Sequence, residues 1–368
     1  MSISPERYCL GGLMKDIDKD SIPEEIDSKT ETVFQTSVEQ NLSSNDSPVI
    51  STSSPYIISP NIEISPFPSN KINEDILSKF SKKNILLTFN NQKSTKQLQK
   101  TLANVPKEVI DIIINELSGL FSIIIKNRNG NYFCTDLFKL CTKEHRFKIL
   151  KELSKTLSTD CTDEYGAHPI QKLIELSSSE EEYKLLLSSF NDFNKILIPS
   201  LNKNGSYCIQ KIIVQIPETF RMEFNLIFVK LLLILSRDMY GVCTLKKFIG
   251  YTKNELIVKQ ILNALMTNFV NISSNQYGNY LIQYLMEKWW KTEEGFYLKK
   301  MIVAKFQILS SNHYSSYICS LFLKLSNNEE KKFIFSTYNK NKNIEKKKNN
   351  IAPCPNKSFI NNNNSEKE

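Results

Sequence analysis

The sequence predicts an all-α helical-repeat solenoid, and three observations carry the prediction. A short motif recurs seven times at a near-constant period. Between the copies, apolar residues fall at three- and four-residue spacing, as in Leu256, Val258, Ile261, Leu262 and Leu265, with no strand-like alternation. Glycine and proline are scarce throughout this stretch.

The motif is plainest in NRNGNYFCTDL from Asn127, DEYGAHPIQKL from Asp163, NKNGSYCIQKI from Asn202, DMYGVCTLKKF from Asp238 and NQYGNYLIQYL from Asn275. Weaker copies are NHYSSYICSLF from Asn312 and NQKSTKQLQKT from Asn91. The glycine, or the serine in its place, marks each copy: Ser94, Gly130, Gly166, Gly205, Gly241, Gly278 and Ser315. The marker spacings are 36, 36, 39, 36, 37 and 37 residues. Each copy makes local sense. Asn or Asp opens a turn and caps a helix, and glycine is expected to supply a permissive backbone just before it. An amphipathic helix follows. A second helix, such as Asn254 to Phe269, leads to the next turn. A lone helix pair cannot bury its apolar face, so the pairs must stack, with one helix of each lining a common face.

Around this body the composition changes. Residues 1–74 are rich in Ser, Pro, Asn and Asp and read as a disordered acidic tail. Residues 339–368 are Asn/Lys-rich low complexity and read the same way. The repeat domain then spans 75–338, with Glu329 to Tyr338 as one more helix and no eighth copy of the motif. Residues 1–75 hold 5 basic and 13 acidic side chains, so they carry −8. The rest of the chain, at 42 basic and 26 acidic, carries +16. A basic body points to a polyanionic partner, most simply nucleic acid. Its alternative is a solvated Lys-rich surface.

Several function classes are disfavoured. The densest apolar stretch, Phe228 to Leu235, is interrupted by Lys230 and is far below the ~18–20 residues of a membrane span. The N-terminus shows no basic segment followed by an apolar one. The eight cysteines sit singly and read as reduced thiols of an intracellular protein. His145, His168 and His313 form no ligand spacing. His145 is expected on a helix surface and His313 in a turn. No phosphate loop, H-E-x-x-H or nucleophile motif is present, which argues against an enzyme, a metal site or a cofactor. Trp289 and Trp290 read as packing residues. Ser-Pro pairs at Ser4, Ser47, Ser54, Ser59 and Ser65 are candidate sites of proline-directed phosphorylation that would weaken binding of a polyanion.

Three positions after each marker carry the chemistry. In the clearest copy they are Asn279, Tyr280 and Gln283. Residues three and four apart share a helix face, so Asn279 and Gln283 can present an amide pair to the edge of a base while Tyr280 stacks on its face. The middle slot holds Lys96, Tyr132, His168, Tyr207, Cys243, Tyr280 and Tyr317. Five of the seven are rings and none is Phe, although Phe outnumbers Tyr by 21 to 15 in the chain. That favours a wet stacking position over a core position. The edge slots are Thr95 and Gln99, Asn131 and Thr135, Ala167 and Gln171, Ser206 and Gln210, Val242 and Lys246, Asn279 and Gln283, and Ser316 and Ser320. The competing reading is that these side chains only cap and pad the grooves between repeats.

On these motifs the chain resembles the Pumilio/PUF family of RNA-binding proteins, over roughly residues 75–338. The resemblance implies a right-handed crescent of about seven three-helix repeats that binds single-stranded RNA at about one base per repeat. It implies uracil for Asn279 with Gln283 and adenine for Ser206 with Gln210. Asn131 with Thr135 looks like a depleted uracil reader, and Ala167 with Gln171 and Thr95 with Gln99 are compatible with adenine. Two repeats depart from the family pattern. The seventh normally uses a carboxylate to select guanine, where this chain has Ser320. The fifth has Val242, Cys243 and Lys246. The resemblance further implies a cytoplasmic protein, monomeric on RNA, that binds U/A-rich, UGUA-like elements of mRNA 3′ untranslated regions. Repression or decay would follow through repressor or deadenylase-recruiting proteins. Two alternatives stay open: a nucleolar relative that assists rRNA maturation, and a helical scaffold that binds protein.

Overall fold

A computed structural model of the chain describes residues 74–333 and 335–336. The expectations for the acidic tail, its Ser-Pro pairs and the Asn/Lys-rich tail concern residues outside these. Every regular element among the described residues is helical. None of those helices is long and apolar enough to cross a membrane.

Each of the seven motif copies builds one helix. These are α1 (Gln92–Leu102), α2 (Gly130–Leu140), α3 (Ala167–Leu176), α4 (Lys203–Gln215), α5 (Met239–Tyr251), α6 (Gly278–Trp289) and α7 (Ser316–Leu325). Each packs on the next, so the seven form one continuous row. A second row lies behind them, running through Lys143–Leu153, Glu180–Ser188, Met222–Leu235, Glu255–Ser273 and Glu293–Ser310. The core lies between the rows. Phe133, Leu137, Ile170, Ile209, Leu245, Leu281 and Leu285 face it from the first row, and Ile149, Leu186, Leu231, Ile261 and Ile302 from the second. Each such side chain, fully buried, contributes roughly 1.5–3 kcal/mol.

The opening Asn or Asp does the same thing in every copy. Its side-chain oxygen accepts the backbone N–H of the marker three residues on, at 2.8–3.2 Å, in Asn91, Asn127, Asp163, Asn202, Asp238, Asn275 and Asn312. One orphan donor at each helix start is thereby satisfied.

The marker glycine plays a different part from the one expected. Among the described glycines only Gly119 has a positive φ, so left-handed backbone is not what the marker glycines supply. The requirement is steric. A Cβ on Gly278 would lie 2.3 Å from the carbonyl oxygen of Ile272, and one on Gly241 would lie 2.3 Å from that of Leu235. A Cβ on Gly130, Gly166 or Gly205 would likewise lie 2.6–2.8 Å from the oxygen of Ile124, Asp160 or Pro199. Each partner is six residues upstream, at the end of the preceding helix. Ser315 shows how a side chain is admitted there: its hydroxyl donates to the oxygen of Leu309, also six residues upstream, at 2.7 Å.

The second row changes character along the chain. In the first three repeats it is broken into two helices, as in Lys107–Leu117 with Phe121–Ile125 and Glu180–Ser188 with Phe193–Leu201. Gly119, at φ +80°, makes the first break. The carboxylate of Glu152 accepts from Gly119 N and Phe121 N at 2.8 and 2.9 Å. Asp192 caps the helix after the third break, accepting from Lys195 N. From Met222 onward no such breaker intervenes and each outer helix is continuous. Asn254 caps Glu255–Ser273, which runs past the expected end at Phe269. After α7 a further helix covers 328–333, tied back by Lys299 to Glu330 at 3.1 Å.

His145 is a correction. It is buried rather than on the surface. Its Nδ1 accepts from Thr142 N in a capping box, and its Nε2 faces Asp111 Oδ1 of the preceding repeat at 2.6 Å. Beside it, Arg146 forms a buried bridge to Glu182 of the next repeat at 2.7 Å and also donates to Cys141 O. His313 lies in the turn before α7. Trp289 is buried, and Trp290 packs edge-on against Phe322 with Lys299 Nζ 4.2 Å from its ring centre.

Candidate nucleic-acid interface

The predicted slots occupy equivalent places on α1–α7, so the stacking of these helices brings all seven sets into one row. The three slots differ sharply in environment. The first slot is buried in every repeat: Thr95, Asn131, Ala167, Ser206, Val242, Asn279 and Ser316. Wherever it is polar, its side chain donates to a carbonyl three or four residues upstream. Asn279 Nδ2 bonds Asn275 O and Gln276 O at 3.0 and 2.9 Å. Asn131 repeats this with Asn127 O and Arg128 O. Thr95 bonds Asn91 O, Ser206 bonds Lys203 O and Ser316 bonds His313 O. The first slot therefore locks the turn, and an asparagine there keeps only its oxygen for other partners.

The middle slot is the opposite. Lys96, Tyr132, His168, Cys243, Tyr280 and Tyr317 are exposed, and Tyr207 is half-buried. The rings of Tyr132, Tyr280 and Tyr317 are 56%, 41% and 45% exposed. Partial covering of its ring, reinforced by Lys172 and Lys139 against the weaker pull of Asp136, holds the His168 imidazole below its ordinary pKa. It is therefore a neutral ring at pH 7.

The third slot varies by repeat. Gln283 Nε2 donates to Asn279 Oδ1 at 2.8 Å, so the amide pair of α6 is joined within itself. Gln99 Nε2 instead reaches across to Asp136 Oδ2 of α2 at 2.6 Å. Gln171 is half-buried and Gln210 is buried. Lys246 places its ammonium 5.8 Å from the ring centre of Tyr284 on α6. Thr135 is buried and donates to Asn131 O, so it offers no hydroxyl outward. Ser320 is exposed and donates to Ser316 O.

One further position went unread in the sequence, the residue just after each third slot: Lys100, Asp136, Lys172, Lys211, Lys247, Tyr284 and Leu321. Four of seven are lysine, a recurrence visible in the same register as the rest. Lys172 and Lys211 share Glu175, at 3.1 and 3.4 Å. Burial first, and Lys211 next, push the Lys247 ammonium below its ordinary pKa. Exposed rings, amide edges and a lysine line along one row are the parts that hold a single-stranded polyanion by stacking and charge. No group of His, Cys, Asp and Glu that could hold a metal ion is present among the described residues.

Comparison with known proteins places these repeats. A family model described as Pumilio-family RNA binding repeat matches residues 123–154, 161–187, 200–222 and 268–289, the copies that build α2, α3, α4 and α6. Pumilio homolog 12 of Arabidopsis thaliana is 25% identical over 235 residues, 62% of this chain and 38% of that protein. Suppressor protein MPT5 of Saccharomyces cerevisiae is 27% identical over 200 residues, 52% of this chain and 23% of that protein. The chain thus spans well under half the length of these relatives. Among solved structures, the RNA-binding domain of yeast Puf5p bound to MFA2 RNA superposes with TM-score 0.62 at 19% identity, covering 73% of this chain and 78% of that one. The Puf4 RNA binding domain bound to HO endonuclease RNA 3′ UTR recognition sequence gives 0.60 at 20% identity, over 65% and 74%. At such identities these structures establish the shared fold.

Proposed function

We propose, from the premise that this chain belongs to the Pumilio family of repeat proteins, that it binds single-stranded RNA along α1–α7 at about one base per helix. The observation that carries this is the alternation of slots: a buried residue in every first slot, followed by a residue that is exposed in six of seven copies and a ring in five. A padding role would bury these rings. The Puf4 structure is of a domain on a 3′ UTR recognition sequence, which supports the finer reading. On that reading the targets are U/A-rich, UGUA-like elements of mRNA 3′ untranslated regions. The outcome is translational repression or decay in the cytoplasm, with the protein bound as a monomer that recruits repressor or deadenylase-linked proteins.

The inward-turned Thr135 and the ring-facing Lys246 favour a second reading in part, an rRNA-maturation factor with relaxed base preference. Selection of bound sequences from a random RNA pool by the full chain separates the readings. A U/A-rich consensus in fixed register is the expected result. Tight binding with no consensus favours the second reading, and no binding at low salt removes both.

A further inference from the structure

In α1 the base-edge glutamine does not stand alone. Gln99 Nε2 lies 2.6 Å from Asp136 Oδ2, a short charge-assisted bond to the following repeat. The other oxygen of Asp136 is held by Lys139 at 2.9 Å. An ionised carboxylate only accepts hydrogen bonds. Gln99 must therefore turn its amino end toward Asp136, which leaves its Oε1 on the opposite side of the amide. The corresponding position elsewhere behaves consistently. Tyr284 of α6 draws in Lys246 of α5 through its ring. Leu321 of α7 offers no polar group, and there Gln283 bonds within its own helix instead, to Asn279. In α1 and α5, then, the residue after the third slot of the next repeat contacts the third slot and sets its orientation.

Resting on the RNA-reading function proposed above, we infer that Asp136 is a specificity-determining residue. By holding Gln99 with its carbonyl oxygen outward, it makes the first repeat select bases with an amino group at purine C6 or pyrimidine C4, adenine or cytosine, over those with a carbonyl there, guanine or uracil. The physical reason is donor–acceptor matching. An outward acceptor bonds the amino hydrogens of adenine N6 or cytosine N4. It meets uracil O4 or guanine O6 as one acceptor facing another. The selecting unit then spans two repeats, and the slots of the first repeat alone do not define its base.

The test uses the full chain and four RNAs that differ only at the base opposite α1, within a sequence recovered by selection. The unaltered protein is expected to prefer adenine and cytosine there by about tenfold. In D136K the new side chain only donates, so the Gln99 amide turns over and the preference inverts toward uracil and guanine. In D136A the amide is released and the four RNAs bind within about twofold of one another, from the same donor–acceptor argument. An unchanged preference in D136K, or an equal loss at every base and every position, overturns the inference. Failure of the unaltered chain to bind any selected RNA is a different result, which overturns the RNA-reading function itself.

Discussion

Gln283 Nε2 donates to Asn279 Oδ1 at 2.8 Å, one helical turn earlier on the same face of α6. Because Asn279 Nδ2 is already committed to Asn275 O and Gln276 O, the pair is a relay in which backbone orients asparagine and asparagine orients glutamine. The outward face of the Gln283 amide is thereby fixed before any ligand arrives. Replacing the pair by Asn279→Ser and Gln283→Glu removes the relay and installs a carboxylate acceptor. Base preference opposite α6 should move to guanine, whose N1–H and N2 amino hydrogens a carboxylate accepts, with the other positions unchanged in a competition assay. Equal weakening at all positions would show that α6 does not read a single base.

The exposed rings should carry binding without carrying the fold. Tyr280→Ala and Tyr132→Ala are each expected to weaken RNA binding by about 1–3 kcal/mol, roughly five- to 150-fold in Kd by fluorescence anisotropy. Thermal unfolding should shift little. Tyr280→Phe keeps the ring and should bind nearly as the parent does. Tyr207, half-buried, should cost both binding and stability when cut to alanine.

Much of this arrangement was legible in the sequence, and the reason is periodicity. Seven markers at a near-constant spacing locate seven helices, and the opening Asn or Asp announces a cap that the structure supplies in every copy. What stayed hidden depends on contacts between repeats. The burial of His145 follows from Asp111, 34 residues away. The partner of Gln99 lies 37 residues on, in a helix whose own register gives no sign of the pairing. The glycines were found for the wrong reason. A turn glycine suggests a special φ, whereas here the carbonyl of Ile272 or Leu235 simply leaves no room for a Cβ.

That distinction makes a stability prediction. Gly278→Ala places a Cβ 2.3 Å from a backbone oxygen that cannot move freely, and about 1–3 kcal/mol of destabilisation is expected. Ser315→Gly removes the bond to Leu309 O and should cost only about 1 kcal/mol. Thermal unfolding should rank the two in that order. The reverse order would mean that the marker contact is not what holds the turns.

The Arg146–Glu182 bridge makes the joint between repeats two and three sensitive to acid. Burial pushes the Glu182 carboxyl up. The Arg146 guanidinium and the N–H groups of Ser178 and Ser179 outweigh it, and the net pKa lies below the ordinary 4.5. A carboxyl with a depressed folded-state pKa contributes stability that is complete above its unfolded value and is lost as pH falls through the folded one. Unfolding should therefore sharpen below about pH 4.5, and Glu182→Gln should remove that component. At neutral pH the same change leaves the Arg146 charge buried without its partner and should cost about 3–5 kcal/mol by denaturant titration.

The contact between each marker glycine and the carbonyl six residues upstream has a consequence for how such a chain can diverge. It uses backbone on both sides and makes no demand on the ring beside it. Drift is confined to glycine or serine at one position of the repeat and is much freer two residues later. A descendant of this protein can exchange one ligand for another through single steps, each of them still folded.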